Sequence, residues 1–365
     1  MIEVLDRIRE KGLYREARVE PEGIDFSSND YLGLSRSPRI RERLIEALTR
    51  GCPLGATGSR LLSGTTDVHE EVESAIANRF EAPSALLFGS GYLANLAVMG
   101  ALGAGEAEFF SDSLNHASLI DGMRLTSGKK SIFRHGDVDQ LTELLRASRA
   151  KTKVVVVESV YGMDGDLAPL ADLVSLASEV GAWLVVDEAH ATGVFGPRGL
   201  GLLSAIAHDP HRTIAIHTAG KALGAQGAFV TSSRAVREVI VNVARSFIFT
   251  TALQPLTALQ IQFALDAIDG VEGRRCLAAA ERLARKLGRP RPDTHILPVI
   301  VGSNELAVEQ AERLMDRGFR VRAIRSPTVP RGTERLRIAC KSFHTESELD
   351  LLADALSKGA PCAFS

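Results

Sequence analysis

Trp183-Leu184-Val185-Val186-Asp187-Glu188-Ala189-His190 and His217-Thr218-Ala219-Gly220-Lys221-Ala222-Leu223-Gly224 decide the reading of this chain. The first is an apolar run ending in Asp-x-x-His, the pattern of a buried strand that carries polar groups to its C-terminal end. The second follows another apolar run, Thr213 to His217, and sets a lysine among small residues and glycine. A primary amine beside an aspartate from a neighbouring strand is what pyridoxal phosphate (PLP) chemistry needs. The lysine holds the cofactor as a Schiff base, and the aspartate keeps the pyridine nitrogen protonated so that the ring accepts electrons.

Around these stretches the pattern is strand, helix, strand. Strands are expected at Ala85–Phe88, Glu108–Ser111, Ser131–Phe133, Val154–Glu158, Leu184–Asp187, Thr213–His217 and Ala228–Thr231, with amphipathic segments such as Leu170–Val180 between them. Such alternation predicts a mostly parallel sheet covered on both faces, with ligands at the carboxyl ends of the strands. Residues 1–35 read as an N-terminal arm, 36–263 as a large cofactor-binding domain and 264–365 as a smaller α/β C-terminal domain. In the last, helices at Arg274–Leu287, Glu305–Arg317 and Glu346–Leu356 alternate with strands at His295–Val301, Phe319–Ile324 and Leu336–Ala339.

With 365 residues, 45% hydrophobic and 24% charged, the composition is that of a soluble globular enzyme. A net charge of −2 and the absence of a basic stripe argue against nucleic acid as a partner. Cys52, Cys276, Cys340 and Cys362 are scattered, as expected of free thiols in a reducing cytoplasm. The uncharged stretch Ala82–Gly105 is interrupted by Gly89-Ser90-Gly91 and Asn95, so a strand and a helix are expected there rather than a membrane span. The opening MIEVLDRIREKG reads as a short amphipathic helix, not a signal peptide. His208 and His211 flank Asp209-Pro210 and read as a surface turn, not a metal site.

Phe88-Gly89-Ser90-Gly91-Tyr92 is a strand, a glycine turn and a helix start, suited to holding an anion on backbone N–H groups. Its G-x-G-x-x-A pattern, with Asp112 about 20 residues on, also imitates a dinucleotide site, so a nicotinamide dehydrogenase is an alternative. That reading leaves Lys221 and Asp187 unexplained. His116, just after a strand, is either a helix N-terminal hydrogen-bonder or a ring stacked on a planar cofactor. His190 is a loop histidine or a partner for a cofactor's phenolic oxygen. Arg335 and Arg337 fall on one face of a strand, as surface arginines or as a fork for a carboxylate.

Phe26-Ser27-Ser28-Asn29-Asp30-Tyr31-Leu32-Gly33-Leu34, Gly58-Ser59-Arg60, Ser90-Gly91-Tyr92, His116-Ala117-Ser118-Leu119, Met163-Asp164-Gly165, Asp187-Glu188-Ala189-His190 and Gly220-Lys221 occur in that order. Together they resemble the blocks of the α-oxoamine synthases. The resemblance implies an α/β, PLP-dependent transferase of fold type I, with a large mostly parallel sheet domain plus a smaller C-terminal α/β domain. It implies Lys221 as the Schiff-base lysine, Asp187 at the pyridinium nitrogen, His190 at the phenolic oxygen and His116 stacked on the ring. Gly91, Tyr92 and Thr218 resemble the phosphate site. Asn29 and Arg337 resemble the holders of an amino-acid carboxylate, and Arg15 and Thr328 contacts to an acyl substrate.

The stretch Ala323–Pro330 with Gly332-Thr333 and Arg335-Leu336-Arg337 is most similar to members that condense L-alanine with a pimeloyl thioester and release CO2. Glycine-using members, or a non-catalytic partner subunit, are the alternatives within the fold. The family also implies a cytoplasmic homodimer. Gly162 stands where many members carry Ser as a cofactor contact. Either water or a neighbour is expected to replace that contact, and Gly162→Ser is expected to be tolerated where the missing hydroxyl merely leaves room for a water.

Overall fold

The computed structural model describes residues 2–10, 13–14, 16–17 and 19–357. Contacts divide the chain into two compact units: Asn29–Ala278 with Lys341–Phe343, and Met1–Ser28 with Ala279–Cys340 and His344–Ser365.

The larger unit is built on seven strands: β1 Ser84–Phe88, β2 Ala107–Asp112, β3 Lys129–Phe133, β4 Thr152–Glu158, β5 Trp183–Asp187, β6 Thr213–Thr218 and β7 Ala228–Ser232. Their spatial order is β1-β7-β6-β5-β4-β2-β3. All pairings are parallel except the two made by β7, which runs antiparallel to β1 and β6. The central strands are apolar on both sides because both faces are covered. Val154, Val156, Val185, Ile214 and Ile216 pack with Ala94, Ala97 and Val98 of the helix Gly91–Leu102. The intervening Val155, Val157, Leu184, Val186 and Ala215 pack with Leu141 and Leu145 and with Leu170, Leu173 and Leu176 of the helix Leu170–Val180. This period-two division explains why no sided pattern is visible in the sequence of β4 or β5. In parallel strands, β4 and β5 place Glu158 beside Asp187 at their shared C-terminal edge.

The uncharged stretch around residue 90 forms β1 and the helix Gly91–Leu102, and among the described residues no helix is long and apolar enough to cross a membrane. Residues 2–10 form the N-terminal helix.

The smaller unit holds a three-stranded antiparallel sheet of β8 Ile296–Ile300, β9 Arg322–Ile324 and β10 Arg335–Ala339, ordered β9-β10-β8. The single strand expected over Phe319–Ile324 is split. Phe319–Arg320 pairs in parallel with Ile24–Asp25 of the N-terminal arm, and the chain changes partner at Val321 before β9 pairs with β10. Phe26 is fully buried in this unit's core beside Leu283, Leu314, Phe319 and Leu336, so the arm contributes a side chain to it.

Candidate active site

The larger unit brings most of the anticipated residues to the C-terminal ends of its strands. Asp187 ends β5, is buried, and has both carboxylate oxygens occupied. Asn95 Nδ2 donates to Oδ2 at 2.8 Å, and the Ala189 backbone N–H donates to Oδ1 at 2.9 Å. The second hydrogen of Asn95 Nδ2 goes to Ser118 Oγ at 2.7 Å. Two donated hydrogen bonds hold the carboxylate in one orientation.

His116 caps the helix Ala117–Arg124. Its Nδ1 accepts from the Ser118 N–H at 3.2 Å and lies 2.7 Å from Ser118 Oγ. An accepting Nδ1 leaves the proton of the neutral ring on Nε2. Burial lowers the pKa of this imidazole, the Asp187 charge opposes the shift, and the Lys221 charge adds to it. His116 is thus both the helix capper and a ring within the field of Asp187 and Lys221. Its backbone N–H donates to Glu158 Oε1 at 2.7 Å. Burial, reinforced by the Asp187 charge and offset by Lys221, pushes the Glu158 carboxyl up to about 8, so near neutrality it is mostly a protonated acid.

Lys221 follows β6 and is half-buried, near enough for its charge to act on both His116 and Glu158. Thr218 is the last residue of β6. A methyl added at Gly91 would meet Thr218 Oγ1 at 3.5 Å, so the hydroxyl lies beside the first residue of the helix Gly91–Leu102. Ser90 caps that helix through the Leu93 N–H. Its first-turn N–H groups, those of Gly91 and Tyr92 among them, have no partner within the helix and carry its positive end.

This set fits PLP. An oriented buried carboxylate, a primary amine, a flat histidine and a helix N-terminus flanked by a hydroxyl answer the cofactor's pyridine nitrogen, aldehyde, ring face and phosphate respectively.

His190 lies just past Asp187 and is buried. Its Nδ1 is 2.7 Å from the Tyr31 hydroxyl, which also donates to Asn29 Oδ1 at 2.9 Å. The room expected at Gly162 does not exist. A Cβ built there would overlap His190 Nε2 and lie 2.7 and 2.8 Å from Cε1 and Cδ2. The imidazole fills the space that a side chain at 162 would need, which overturns the expectation that Gly162→Ser is accommodated without rearrangement.

Arg337 and Thr328 belong to the smaller unit. Arg335 and Arg337 share a side of β10, as alternation predicts, but both are buried at 4% exposure. The reading of them as surface arginines therefore fails for this pair. Arg335 Nε donates to Thr333 O at 2.8 Å. Thr328 lines a cleft of about 640 Å³ together with Tyr14, Ile324 and Arg325. Arg15 lies outside the described residues. Among the described residues no group of three His, Cys, Asp or Glu side chains is placed to hold a metal, and His208 bonds its own loop at Ile206 O.

Asn95, Ser118, Glu158 and Tyr31 complete the site, and sequence reading assigned none of them a role there. Asn95 had a signal, being an amide within the apolar helix Gly-Tyr-Leu-Ala-Asn-Leu-Ala-Val-Met-Gly-Ala-Leu. Glu158 had one too, as a carboxylate ending the buried run Val154–Val157.

Residues 21–356 match the family model described as aminotransferase class I and II. The 8-amino-7-oxononanoate synthase of Bordetella petrii is 44% identical over 348 residues, which is 91% of this chain and 87% of that one. Among solved structures, serine palmitoyltransferase from S. paucimobilis with bound PLP-myriocin aldimine superposes with a TM-score of 0.85 at 28% identity, covering 97% of this chain and 95% of that one. An 8-amino-7-oxononanoate synthase from Francisella tularensis superposes with a TM-score of 0.77 at 26% identity, covering 92% and 97%. With its strand order, its lysine and aspartate at adjacent strand ends and its near full-length matches, this chain belongs to the aminotransferase class I and II family.

Proposed function

We propose that this protein is a PLP-dependent acyltransferase that condenses L-alanine with a pimeloyl thioester, releasing CO2 and the thiol and forming 8-amino-7-oxononanoate for biotin synthesis. The observation that carries the reading is the Asp187 carboxylate, fixed by Asn95 and the Ala189 N–H, at the strand end next to the one that delivers Lys221. The 44% identity to an 8-amino-7-oxononanoate synthase supports the choice of reaction.

PLP, when bound, supplies an electron sink for negative charge developing at the amino acid's Cα. The protein's own groups do the rest. Lys221 would hold the cofactor through its amine, and the same amine, when free, would serve as the base for the Cα proton. Asp187 holds a proton at the pyridine nitrogen, and Asn95 keeps that carboxylate in line. His116 offers a neutral ring face for stacking. The N–H groups of Gly91 and Tyr92 and the Thr218 hydroxyl hold the phosphate. Asn29 and Arg337 hold the substrate carboxylate, Arg337 as a planar cation suited to it. Arg15 and Thr328 would contact the acyl chain, and the cleft beside Thr328 has room for one. The protein works as a cytoplasmic homodimer.

Incubation of the PLP-loaded protein with pimeloyl-CoA and either alanine or glycine tests this. Alanine-dependent CO2 release with 8-amino-7-oxononanoate as product is expected. Turnover with glycine alone would assign the chain to a glycine-using reaction instead.

A further inference from the structure

His135 follows the edge strand β3, and both of its ring nitrogens face acidic side chains. Nδ1 lies 3.0 and 3.1 Å from the two oxygens of Asp112, the last residue of β2. Nε2 lies 2.6 Å from Asp166 Oδ2, in the turn that follows β4. Asp112 is buried and also accepts from the Leu114 N–H at 2.8 Å and the Gly136 N–H at 3.0 Å. A carboxylate only accepts, so each ring nitrogen donates, and an imidazole that donates from both is a cation. Hydrogen bonds to Asp112 and then Asp166 push the His135 pKa up to about 10, against the opposing effect of burial. Tyr161 stands edge-on to the ring with centroids 4.4 Å apart, and burial with the Asp112 charge pushes its phenol up, so it adds no charge there. The adjacent Arg134 is paired with Asp137 at 2.8 Å.

The turn that His135 grips leads to the cofactor site. At its base the Ser159 N–H donates to Asp187 O at 2.9 Å, the Ala168 N–H donates to Ser159 O at 3.1 Å, and Val160 bridges Leu167. Within it the Tyr161 N–H donates to Asp166 O at 3.0 Å, so the residue that His135 holds is bonded to the residue before Gly162. Gly162 in turn lies against His190, whose imidazole fills the place of a side chain at 162. Where the turn sits therefore limits where that ring can rest. The base ties the turn to β4 and β5, and His135 ties its far side to β2.

We propose that His135 is a positioning residue: as an imidazolium shared by Asp112 and Asp166 it pins the turn 159–168 to the end of β2 and so holds Gly162 against the His190 ring. The charge is part of the device, because a neutral imidazole has one N–H and can donate to only one of the two acids. Loss of that proton releases one end of the clamp. The clamp and its charge stand on the contacts of His135 itself. That a displaced His190 weakens cofactor binding rests on the PLP reading, with His190 at the phenolic oxygen.

Nitrogen-15 NMR of the full-length, PLP-loaded protein labelled at histidine tests this, with signals assigned by His135→Gln and His190→Gln. In the wild-type protein His135 should stay protonated at both nitrogens to about pH 9, where an unperturbed histidine has lost one proton near about 6.5. Asp166→Asn leaves a hydrogen-bond partner in place but removes one charge. His135 should then titrate at a lower pH, and the His190 signals should move over the same pH range. His135→Gln should shift the His190 signals at every pH and weaken PLP binding about 10-fold, the scale of one hydrogen bond to a charged group. A residue that only supports the fold would lower the Tm and leave the His190 signals independent of the His135 titration. A wild-type His135 that titrates near about 6.5, or His190 signals that stay in place in both variants, would overturn the proposal. Asp166→Asn decides the matter should His135→Gln fail to fold. If PLP proves not to be the cofactor, the affinity arm fails while the NMR of the unloaded protein still reads the clamp, which separates the two claims.

Discussion

Asn95→Leu is the perturbation that isolates what the helix Gly91–Leu102 does for the chemistry. Leucine keeps most of the side-chain volume, so packing among Ala94, Ala97 and Val98 is largely preserved and the loss is electrostatic. Two hydrogen bonds disappear, the 2.8 Å bond to Asp187 Oδ2 and the 2.7 Å bond to Ser118 Oγ. A hydrogen bond to a charged group is worth about 1.5–3 kcal/mol net, against about 0.5–1.5 for a neutral one. The first bears on the reaction, because it orients the Asp187 carboxylate that faces the pyridine nitrogen. If that difference is expressed in the barrier to Cα deprotonation, the rate falls roughly 10- to 150-fold at about 1.4 kcal/mol per decade. The second bond orients Ser118, which contacts His116 Nδ1, so a smaller loss in cofactor affinity should accompany it. The assay is exchange of the alanine Cα proton for deuterium in heavy water, followed by NMR, which reads deprotonation without the acyl donor. PLP affinity is measured in parallel by absorbance titration. An exchange rate within about twofold of wild type, with the protein fully loaded, would refute the claim that Asn95 holds Asp187 in its working state.

Arg337→Leu should raise the KM for alanine by roughly 10- to 100-fold, since a charge-assisted carboxylate contact of about 1.5–3 kcal/mol is lost, while PLP absorbance stays unchanged. Arg335→Leu, on the same side of β10, is the internal control, and an effect on alanine from that variant alone would show the register to be misassigned. Glu158→Gln should raise thermal stability at pH 8 and change it little near pH 4. The carboxyl is held up near 8 in the folded protein, so the unfolded chain loses its proton first, and wild-type stability falls as pH rises from about 4.5 towards 8. Differential scanning calorimetry across that range checks it, and an equal effect at both ends would contradict the burial argument.

The strands of the large sheet were legible because buried parallel strands are short apolar runs, and Val154–Val157, Leu184–Val186 and Thr213–His217 contain little else. The placement of Asp187 and Lys221 at strand ends was legible because polar residues at the ends of such runs have few places to go. The pairing of Arg335 with Arg337 was legible from alternation, but their burial was not, because solvent exposure depends on what the rest of the unit lays over β10. The split at Val321 was hidden because the arm strand Ile24–Asp25 comes from the far end of the chain. The Asn95–Asp187 bond and the His190–Gly162 contact share that difficulty. Each joins residues distant in sequence, and a glycine carries no mark of what fills the space beside it. Gly162 therefore read as a missing contact, whereas the structure makes it room for an imidazole.

The central claim is that Lys221 is the amine that carries PLP. Borohydride reduction of the purified protein, proteolysis and mass spectrometry of the peptides test it directly. The account predicts a phosphopyridoxyl mass on the peptide containing Lys221, and none when the same protocol is run on Lys221→Ala. The same mass on a different lysine of the wild-type protein would contradict it.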